Sequence, residues 1–548
     1  MTQQAKAAKA RRVQQWRYGA SLVLLGAAHA QAFAPDPLPG VVLPYVQLLC
    51  LIFLARYVWN ASSVKRAAVT GFLFGLGSFA AGLYWVYISM HRYGGMPPPL
   101  AGAATLLLAA AEALFYCIAA ALIKWLTQRR LAQEDGIARH FLAVAAWASC
   151  WALFEWLRGT LFTGFPWMAI GYGHVEGPLS GWAPLIGMYG ITWLAAFICA
   201  ATGLLMLRQR SGFEAPAAAT TAAGLVIAAA GWLLGGFSWG QPEGPSVLVR
   251  LVQGNVPQSE KFDPARIHEG VQTYMELAAL PPREPGMDPA VIVLPETIMP
   301  LFQNRYQPAV WEQWQGIADQ RNAALVMGAP LHTSTPQGDR YTNSVIGFDA
   351  ATPTEHLLSG QTDMRYDKHH LVPFGEFIPP GFRWFVNAMH IPLGDFDRGS
   401  TRQQHFVLAG QRFAPNICYE DVFGEEIIQA VRPSAQFGPG ASILVNVSNL
   451  GWFGESWALR QHLQISRMRA IETARPMLRA TNTGMTAAIA PDGHVRAMLD
   501  AHAKGVLDVE VQGMSGLTPY VRFGNWPVLI WSLVMIGAML LIRRRPQP

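Results

Sequence analysis

The chain has 548 residues, of which 51% are hydrophobic and 14% are charged, and its formal net charge at pH 7 is +6. Average proteins carry about 25% charged residues, so this composition excludes an ordinary soluble protein. Apolar stretches long enough to cross a bilayer core of about 30 Å recur along the chain. They lie near residues 18–35, 41–59, 68–90, 100–126, 140–157, 185–207, 217–238 and 525–542.

The net positive charge belongs to the apolar part of the chain. Region 239–524 holds 28 acidic residues and 22 Lys or Arg residues, a balance of about −6, whereas the remainder is about +12. This distribution argues against nucleic acid as a partner of the large polar region. We therefore predict a membrane domain (1–238) of about seven helices, a polar domain (239–524), and a last helix with a basic tail (525–548).

The placement of Lys and Arg predicts the orientation in the membrane. The two tails and alternate loops carry 17 such residues, whereas the intervening short loops hold only Arg92 and Arg158. Cytoplasmic loops are enriched in Lys and Arg, so both termini are expected in the cytoplasm and the polar domain on the other side. The alternative is that the first stretch is a cleaved signal peptide, which would leave six spans before the polar domain.

Two acidic residues, Glu112 and Glu155, fall inside predicted spans. Charges are costly at membrane depth and usually face a helix bundle or a cavity. Arg158 lies three residues after Glu155, so the two can pair on one helix face. A structural ion pair and a site for a lipid headgroup both fit this pattern.

The polar domain alternates between strand and helix patterns. This rhythm is typical of layered α/β domains. Strands are predicted at 246–253, 290–295, 323–330, 342–348, 412–417, 441–448, 476–482 and 485–493, and helices at 264–280, 420–431 and 457–473.

Cys418 is the only one of the five cysteines in the polar domain, within PNICYED (415–421). A domain outside the cytoplasm with one cysteine cannot form an internal disulfide. A leftover cysteine there indicates a reactive thiol, and the alternative is a buried, inert residue.

Two other motifs supply the groups that a reactive thiol needs. Glu296 ends a strand in LPET (294–297), and Lys368 and Glu376 lie in YDKHHLVPFGEFIP (366–379). A thiol is nucleophilic as the thiolate, and a helix N-terminus or a nearby Lys lowers its pKa. Glu296 can exchange the thiol proton, and Lys368 with a backbone N–H can hold an oxyanion.

The order of Glu296, Lys368 and Cys418, each in its local motif, resembles the Glu-Lys-Cys triad of the nitrilase superfamily. Within it, the chain resembles the membrane-embedded apolipoprotein N-acyltransferases of Gram-negative bacteria. The shared motifs include LVQGNVPQ (251–258), ICYE, the WFG of NLGWFGES and GLTPYVRFGNWP (516–527). The resemblance covers nearly the whole chain. It implies a polytopic α-helical membrane protein of about eight spans with an extracytoplasmic α/β domain, a four-layer α-β-β-α sandwich.

The family resemblance also implies the reaction. The sn-1 ester of a phospholipid, typically phosphatidylethanolamine, would acylate Cys418 and release a lysophospholipid. The acyl chain would then pass to the α-amine of the diacylglyceryl-cysteine that begins an apolipoprotein. The resemblance implies no cofactor or metal and places the enzyme in the inner membrane with its catalytic domain in the periplasm. A monomer suffices for this chemistry.

Individual residues carry over from the family by position. Glu296 matches the base, Lys368 the oxyanion lysine and Cys418 the nucleophile, and Glu376, Tyr419 and Glu420 match further positions that the family relies on. Phe262 stands where the family often has Trp, so packing is kept and the indole N–H is lost. The family's Asn-Asp pair before Trp-Phe-Gly is Asn449-Leu450-Gly451 here, so the acid is absent.

Two other functions compete with acyl transfer. A membrane-anchored nitrilase-type amidase would use the same triad with water as acceptor and a small C–N substrate. A transporter or scaffold would use this domain only for binding. The presence of all three reactive groups, Glu296, Lys368 and Cys418, argues against that function. The apolar segment 377–396 is a candidate lid that dips into lipid, with a plain surface loop as the alternative.

Overall fold

The computed structural model describes residues 3–128, 136–208, 215–282, 284–336, 338–379, 381, 383 and 395–544. Contacts divide the chain into two compact units. The first is mainly helical and holds 1–87, 98–237 and 523–548. The second is an α/β unit and holds 88–97 and 238–522.

Long helices build the first unit. Six helices of the described part of the chain are long and apolar enough to cross a membrane, or seven if one pair bent by 49° (Val64–Gly82 and Trp85–Tyr93) is counted as one span. The helices are Gln3–Ala30, Leu43–Trp59, Val64–Gly82, Trp85–Ile88, Pro98–Leu126, Ile137–Arg158, Ala183–Arg208, Ala215–Leu234 and Trp526–Arg544.

The count of about eight spans therefore depends on the first helix. Gln3–Ala30 is a 28-residue helix, but it is not among the helices apolar enough to cross a membrane. Its N-terminal half carries the charged residues of the tail. The remaining seven sequence stretches each correspond to a helix, or to the bent pair, that meets the length and apolarity required.

Glu112 and Glu155 of the first unit form one buried ion cluster with Arg158. Arg158 donates from Nη1 to Glu112 Oε2 at 3.2 Å, and its Nη2 lies 3.9 Å from Glu155 Oε1. Glu155 also accepts from the Thr192 hydroxyl at 2.6 Å and from the Tyr116 hydroxyl at 3.1 Å. The two carboxylates are thus occupied by protein partners, which favours the structural interpretation over a headgroup site.

Two six-stranded sheets form the second unit. Their orders are β12-β1-β2-β3-β4-β5 and β11-β10-β9-β8-β7-β6, and β1–β2–β3 and β7–β8–β9 are the parallel parts. The strands are β1 Gln241–Gln253, β2 Val291–Val293, β3 Ala324–Thr335, β4 Gly338–Phe348, β5 Met364–Asp367, β6 Phe406–Leu408, β7 Gln411–Ile417, β8 Ile443–Ser448, β9 Met477–Thr481, β10 Ala487–Ile489, β11 Val495–Met498 and β12 Gly505–Ser515.

Burial on both faces explains the continuous apolar runs of the central strands. Along β2, Val291 and Val293 enter a core shared with the second sheet, whereas Ile292 packs against helices. Along β8, Val445 faces the shared core and Leu444 faces helices. The predicted four-layer α-β-β-α sandwich is confirmed.

Helices cover the outer face of each sheet. On the first sheet, Ile267–Ala279 and Pro308–Arg321 supply Tyr274, Trp311 and Trp314 to the core. On the second sheet, Gly424–Val431 and Trp457–Thr473 do the same. The shorter helices of this unit are Gln258–Lys261, Thr354–Ser359 and Pro519–Phe523.

The helix predicted over 420–431 is wrong in one respect. The chain forms a 3₁₀ turn at Cys418–Val422 and then a separate helix at Gly424–Val431. Phe423 interrupts the two, with φ −98° and ψ 86°. The cause is visible at Glu420, whose side chain bonds back to the backbone before the turn instead of facing outward from a helix.

Candidate active site

Glu296 follows β2 and is buried, with 7% of its surface exposed. Its Oε1 accepts from Asn343 Nδ2 at 2.9 Å and from Lys368 Nζ at 3.4 Å. Its Oε2 accepts from the backbone N–H of Asn449 at 3.0 Å. Three donors from three chain segments therefore fix the carboxylate, as a base with a defined direction requires.

Lys368 follows β5 directly, and its backbone N–H donates to Asn343 O at 2.8 Å. Since β5 runs parallel to β2 through the antiparallel β3–β4–β5 ladder, both residues leave the sheet at one edge. Nζ of Lys368 donates to Glu376 Oε1 at 2.9 Å as well as to Glu296. Burial favours the neutral amine, but Glu376 and Glu296 outweigh it and raise the pKa of Lys368 above its usual range.

Cys418 follows β7 in a left-handed backbone conformation with φ +51°. Such a conformation is costly for a residue with a side chain and persists only where the surroundings impose it. The Cys418 carbonyl accepts from Asn446 Nδ2 at 3.1 Å and lies 3.2 Å from His462 Nε2. These two contacts fix the backbone at Cys418.

The surroundings of Cys418 favour the neutral thiol over the thiolate. Burial raises its pKa, Glu296 raises it further, and Lys368 opposes them. The sequence-based expectation of a helix N-terminus that lowers this pKa is not met, because the residue begins a five-residue 3₁₀ turn. The thiol therefore needs a base, and Glu296 is one of the charged groups that act on it.

Glu420 ties the turn at Cys418 to the loop that follows Lys368. Its Oε1 accepts from the backbone N–H groups of His369 at 2.6 Å and His370 at 3.1 Å. Its Oε2 accepts from Ile417 N at 2.7 Å and from the Tyr366 hydroxyl at 2.8 Å. Burial raises the pKa of Glu420, and Lys368 opposes this effect. The sequence left this residue without a physical role, and the structure supplies one.

Asp421 belongs to a different buried network. Its Oδ1 lies 2.8 Å from His462 Nε2, and its Oδ2 accepts from Arg479 Nη1 at 3.4 Å. Burial works against the charged carboxylate, but His462 and Arg479 outweigh it, so the pKa of Asp421 is lowered. The network places His462 against the Cys418 carbonyl.

Aromatic side chains surround the site. Tyr419 packs edge-on against Phe423 and His370, with ring centroids 5.1 and 5.8 Å apart. Phe262 is 45% exposed and stacks on Trp452 at 6.1 Å. Phe262 thus keeps a packing contact without an indole N–H. Of the proposed lid at 377–396, residues 380, 382 and 384–394 lie outside the described residues.

Sequence reasoning missed several partners of the triad. Asn343 joins Glu296 to Glu376, donating to the latter at 2.7 Å, and its position inside an apolar strand was the available signal. Asn449 lies in the motif that was noted only for its missing acid. His462 and Asn446 gave no local signal. Among the described residues, no group of three or more His, Cys, Asp or Glu could hold a metal.

We expect Glu420→Gln to loosen the turn at Cys418 and the loop that follows Lys368. Four donors converge on two oxygens, and an amide would turn one of its ends from acceptor into donor. Buried hydrogen bonds to a charged group contribute about 1.5–3 kcal/mol, so unfolding of this unit in denaturant should shift by about 2 kcal/mol and turnover should fall. Glu312→Gln, at an exposed helix position, is the matched control. Unchanged stability in Glu420→Gln would contradict the clamp.

The sandwich places the second unit in the carbon–nitrogen hydrolase class, and a family model described as carbon-nitrogen hydrolase matches residues 248–520. A model described as apolipoprotein N-acyltransferase N-terminal domain matches residues 25–201. The chain is 53% identical over 538 residues to the apolipoprotein N-acyltransferase of Bordetella bronchiseptica, covering 97% of this chain and 98% of the relative. The chain belongs to the apolipoprotein N-acyltransferase family.

A second relative matches over a similar extent of the chain. The apolipoprotein N-acyltransferase of Ralstonia nicotianae is 44% identical, with 96% of this chain and 94% of the relative covered. Among solved structures, an amidase of the nitrilase superfamily from Nesterenkonia is 17% identical with a TM-score of 0.36, covering 52% of this chain and 97% of that one.

Proposed function

We propose that this protein N-acylates the diacylglyceryl-cysteine at the N-terminus of apolipoproteins, using a phospholipid as acyl donor and a thioester on Cys418. The observation that carries the proposal is the meeting of three groups. Lys368 lies 3.4 Å from Glu296, and both act electrostatically on the Cys418 thiol. The full-length relatives are themselves named apolipoprotein N-acyltransferases.

In the first half-reaction, Glu296 takes the thiol proton and the thiolate attacks the ester carbonyl carbon of the phospholipid. Lys368 stabilises the oxyanion of the tetrahedral intermediate. Its raised pKa keeps it cationic while this charge develops. The C–O bond then breaks, Glu296 returns the proton to the leaving oxygen, and a lysophospholipid departs.

In the second half-reaction, the α-amine of the acceptor attacks the thioester carbonyl. Glu296 takes a proton from the attacking amine. As the C–S bond breaks, Glu296 passes this proton to the departing sulfur and so regenerates the thiol. Glu376 Oε1 lies 2.9 Å from Nζ of Lys368, which Glu296 also contacts. Glu376 therefore holds the lysine in place through both half-reactions. One nucleophile serving two substrates in turn gives ping-pong kinetics.

The membrane setting supports lipid substrates. Transfer of each CH₂ group from lipid to water costs about 0.8 kcal/mol, so a donor with 16 carbons per chain stays in the bilayer. The six or seven helices of the described residues that are apolar enough to span a bilayer would keep the chain there too. The proposal includes a periplasmic catalytic unit, cytoplasmic termini, phosphatidylethanolamine as donor and a monomeric enzyme.

Purified full-length protein with phosphatidylethanolamine and a diacylglyceryl-cysteine peptide tests the proposal. We expect the peptide to gain one amide-linked acyl chain while an equal amount of lysophospholipid appears. The match to a carbon–nitrogen hydrolase model keeps a small-substrate amidase as the second candidate. Hydrolysis of small amides without peptide acylation would favour that candidate.

A further inference from the structure

Lys261 is a second buried lysine beside the triad. It ends the short Gln258–Lys261 helix, and only 3% of its surface is exposed. Its Nζ donates to the backbone carbonyl of Glu296 at 3.0 Å. Buried lysines are normally paired with an acid, yet within the described ranges no carboxylate oxygen lies within 4.0 Å of this ammonium.

The charged groups around Lys261 are those of the proposed chemistry. Burial lowers the pKa of Lys261 to about 8, while Glu296 and Cys418 act in the opposite direction. Coupling between two ionisable groups is reciprocal. A thiolate that favours the protonated lysine is therefore itself favoured by it.

A count of formal charges shows why one lysine is not sufficient. Glu296 and Glu376 as carboxylates with Lys368 as ammonium sum to −1. The Asp421–Arg479 ion pair, which also acts on the thiol, sums to zero. Ionisation of Cys418 would then place a thiolate among groups that already carry a net negative charge, which is unfavourable. With Lys261 as a cation the four groups sum to zero, and moving the thiol proton to Glu296 keeps that balance.

We propose that Lys261 is a second active-site cation, whose charge stabilises the Cys418 thiolate and the negative charge that passes from it to the tetrahedral intermediate. Lys368 is shared by two carboxylates at 2.9 and 3.4 Å, whereas Lys261 meets only a neutral carbonyl. Its charge is thus the less neutralised of the two. This inference rests on the proposed role of Cys418 as nucleophile.

The other assignment for Lys261 is purely structural, as a hydrogen-bond donor that fixes the Glu296 backbone. The two assignments differ in their effect on the ionisation of the Cys418 thiol. A charge shifts the pH at which Cys418 ionises, whereas a backbone support changes rates without moving that pH. Glu260, the neighbouring acid, is paired with Arg266 at the surface, so it adds no net charge to the comparison.

The test is alkylation of Cys418 by iodoacetamide in the detergent-solubilised full-length protein, followed by mass spectrometry of the Cys418 peptide at a series of pH values. In Lys261→Met we expect the pH of half-maximal alkylation to rise by about one unit and the alkylation rate at neutral pH to fall about tenfold. One unit is the lower end of the pKa shift that a nearby opposite charge causes. Lys261→Arg should keep the wild-type alkylation rate below about pH 8, where Lys261 itself is charged.

A wild-type profile in Lys261→Met would overturn the inference, and so would equal shifts in the Met and Arg variants. If Lys261→Met fails to fold, Lys261→Gln replaces it with the same expected shift. Alkylation requires neither lipid nor acceptor. Failure of the proposed function would appear separately, as acyl transfer that survives the loss of Cys418.

Discussion

Replacement of Cys418 by alanine should lower N-acylation by about 10⁴-fold or more, the scale of losing a nucleophile in enzymes of this type. Both half-reactions pass through the sulfur, so lysophospholipid release and peptide acylation should disappear together. The fold should persist, because Asn446 and His462 contact the backbone carbonyl of Cys418, which the alanine variant keeps.

Cys418→Ser should be almost as inactive, because a hydroxyl loses its proton far less readily than a thiol. Cys117→Ala, in the Pro98–Leu126 helix of the first unit, is the matched control and should keep wild-type rates. Activity within tenfold of wild type in Cys418→Ala would rule out the thioester route.

Replacement of Glu296 by glutamine should lower turnover by about 10³-fold, within the range for a general acid–base group. An amide has nearly the shape of the carboxylate and keeps one oxygen for Asn343 or Asn449. It cannot take the thiol proton or return it to the leaving group. Lys368 remains fixed by Glu376 at 2.9 Å, so the loss reflects proton transfer and not a displaced lysine.

The two half-reactions should both slow in Glu296→Gln, measured as single-turnover release of lysophospholipid and as transfer from preformed thioester. Glu355→Gln, at an exposed position, is the control. If thioester formation in Glu296→Gln kept its wild-type rate, another group would have to be the base.

Much of the second unit could be predicted because its signals are local. Strands such as β7 and β8 are short apolar runs buried on both faces, and Trp457–Thr473 follows the predicted helix bounds. The positions of Glu296 and Cys418 at strand ends were readable for the same reason, whereas the strand Met364–Asp367 that precedes Lys368 was not predicted.

The arrangement around the triad depends on long-range contacts, so the sequence could not specify it. No partner of Glu420 or Asp421 was readable from the sequence. In the structure, Glu420 bonds to backbone of the lysine loop, and Asp421 is held by His462 and Arg479 from distant segments. The 3₁₀ turn after Cys418 follows from these bonds, whereas helix propensity alone favoured a continuous helix.

Lys261 shows the same limit. In the sequence, Lys261 is a single charged residue beside Phe262 and resembles a surface position. Only the fold brings its Nζ to 3.0 Å from the backbone carbonyl of Glu296 and so into the site. In the first unit, length and apolarity predicted the helices well. The pairing of Glu112 with Arg158 across 46 residues needed the fold.

The central claim is the covalent intermediate, and mass spectrometry of the Cys418 peptide tests it most directly. The full-length protein is incubated in native membranes without acceptor, digested and analysed. The account predicts a long-chain acyl thioester on Cys418 that disappears when a diacylglyceryl-cysteine peptide is added, as that peptide gains the same chain. A small acyl group on Cys418, or acylated peptide formed while Cys418 stays unmodified, would contradict it.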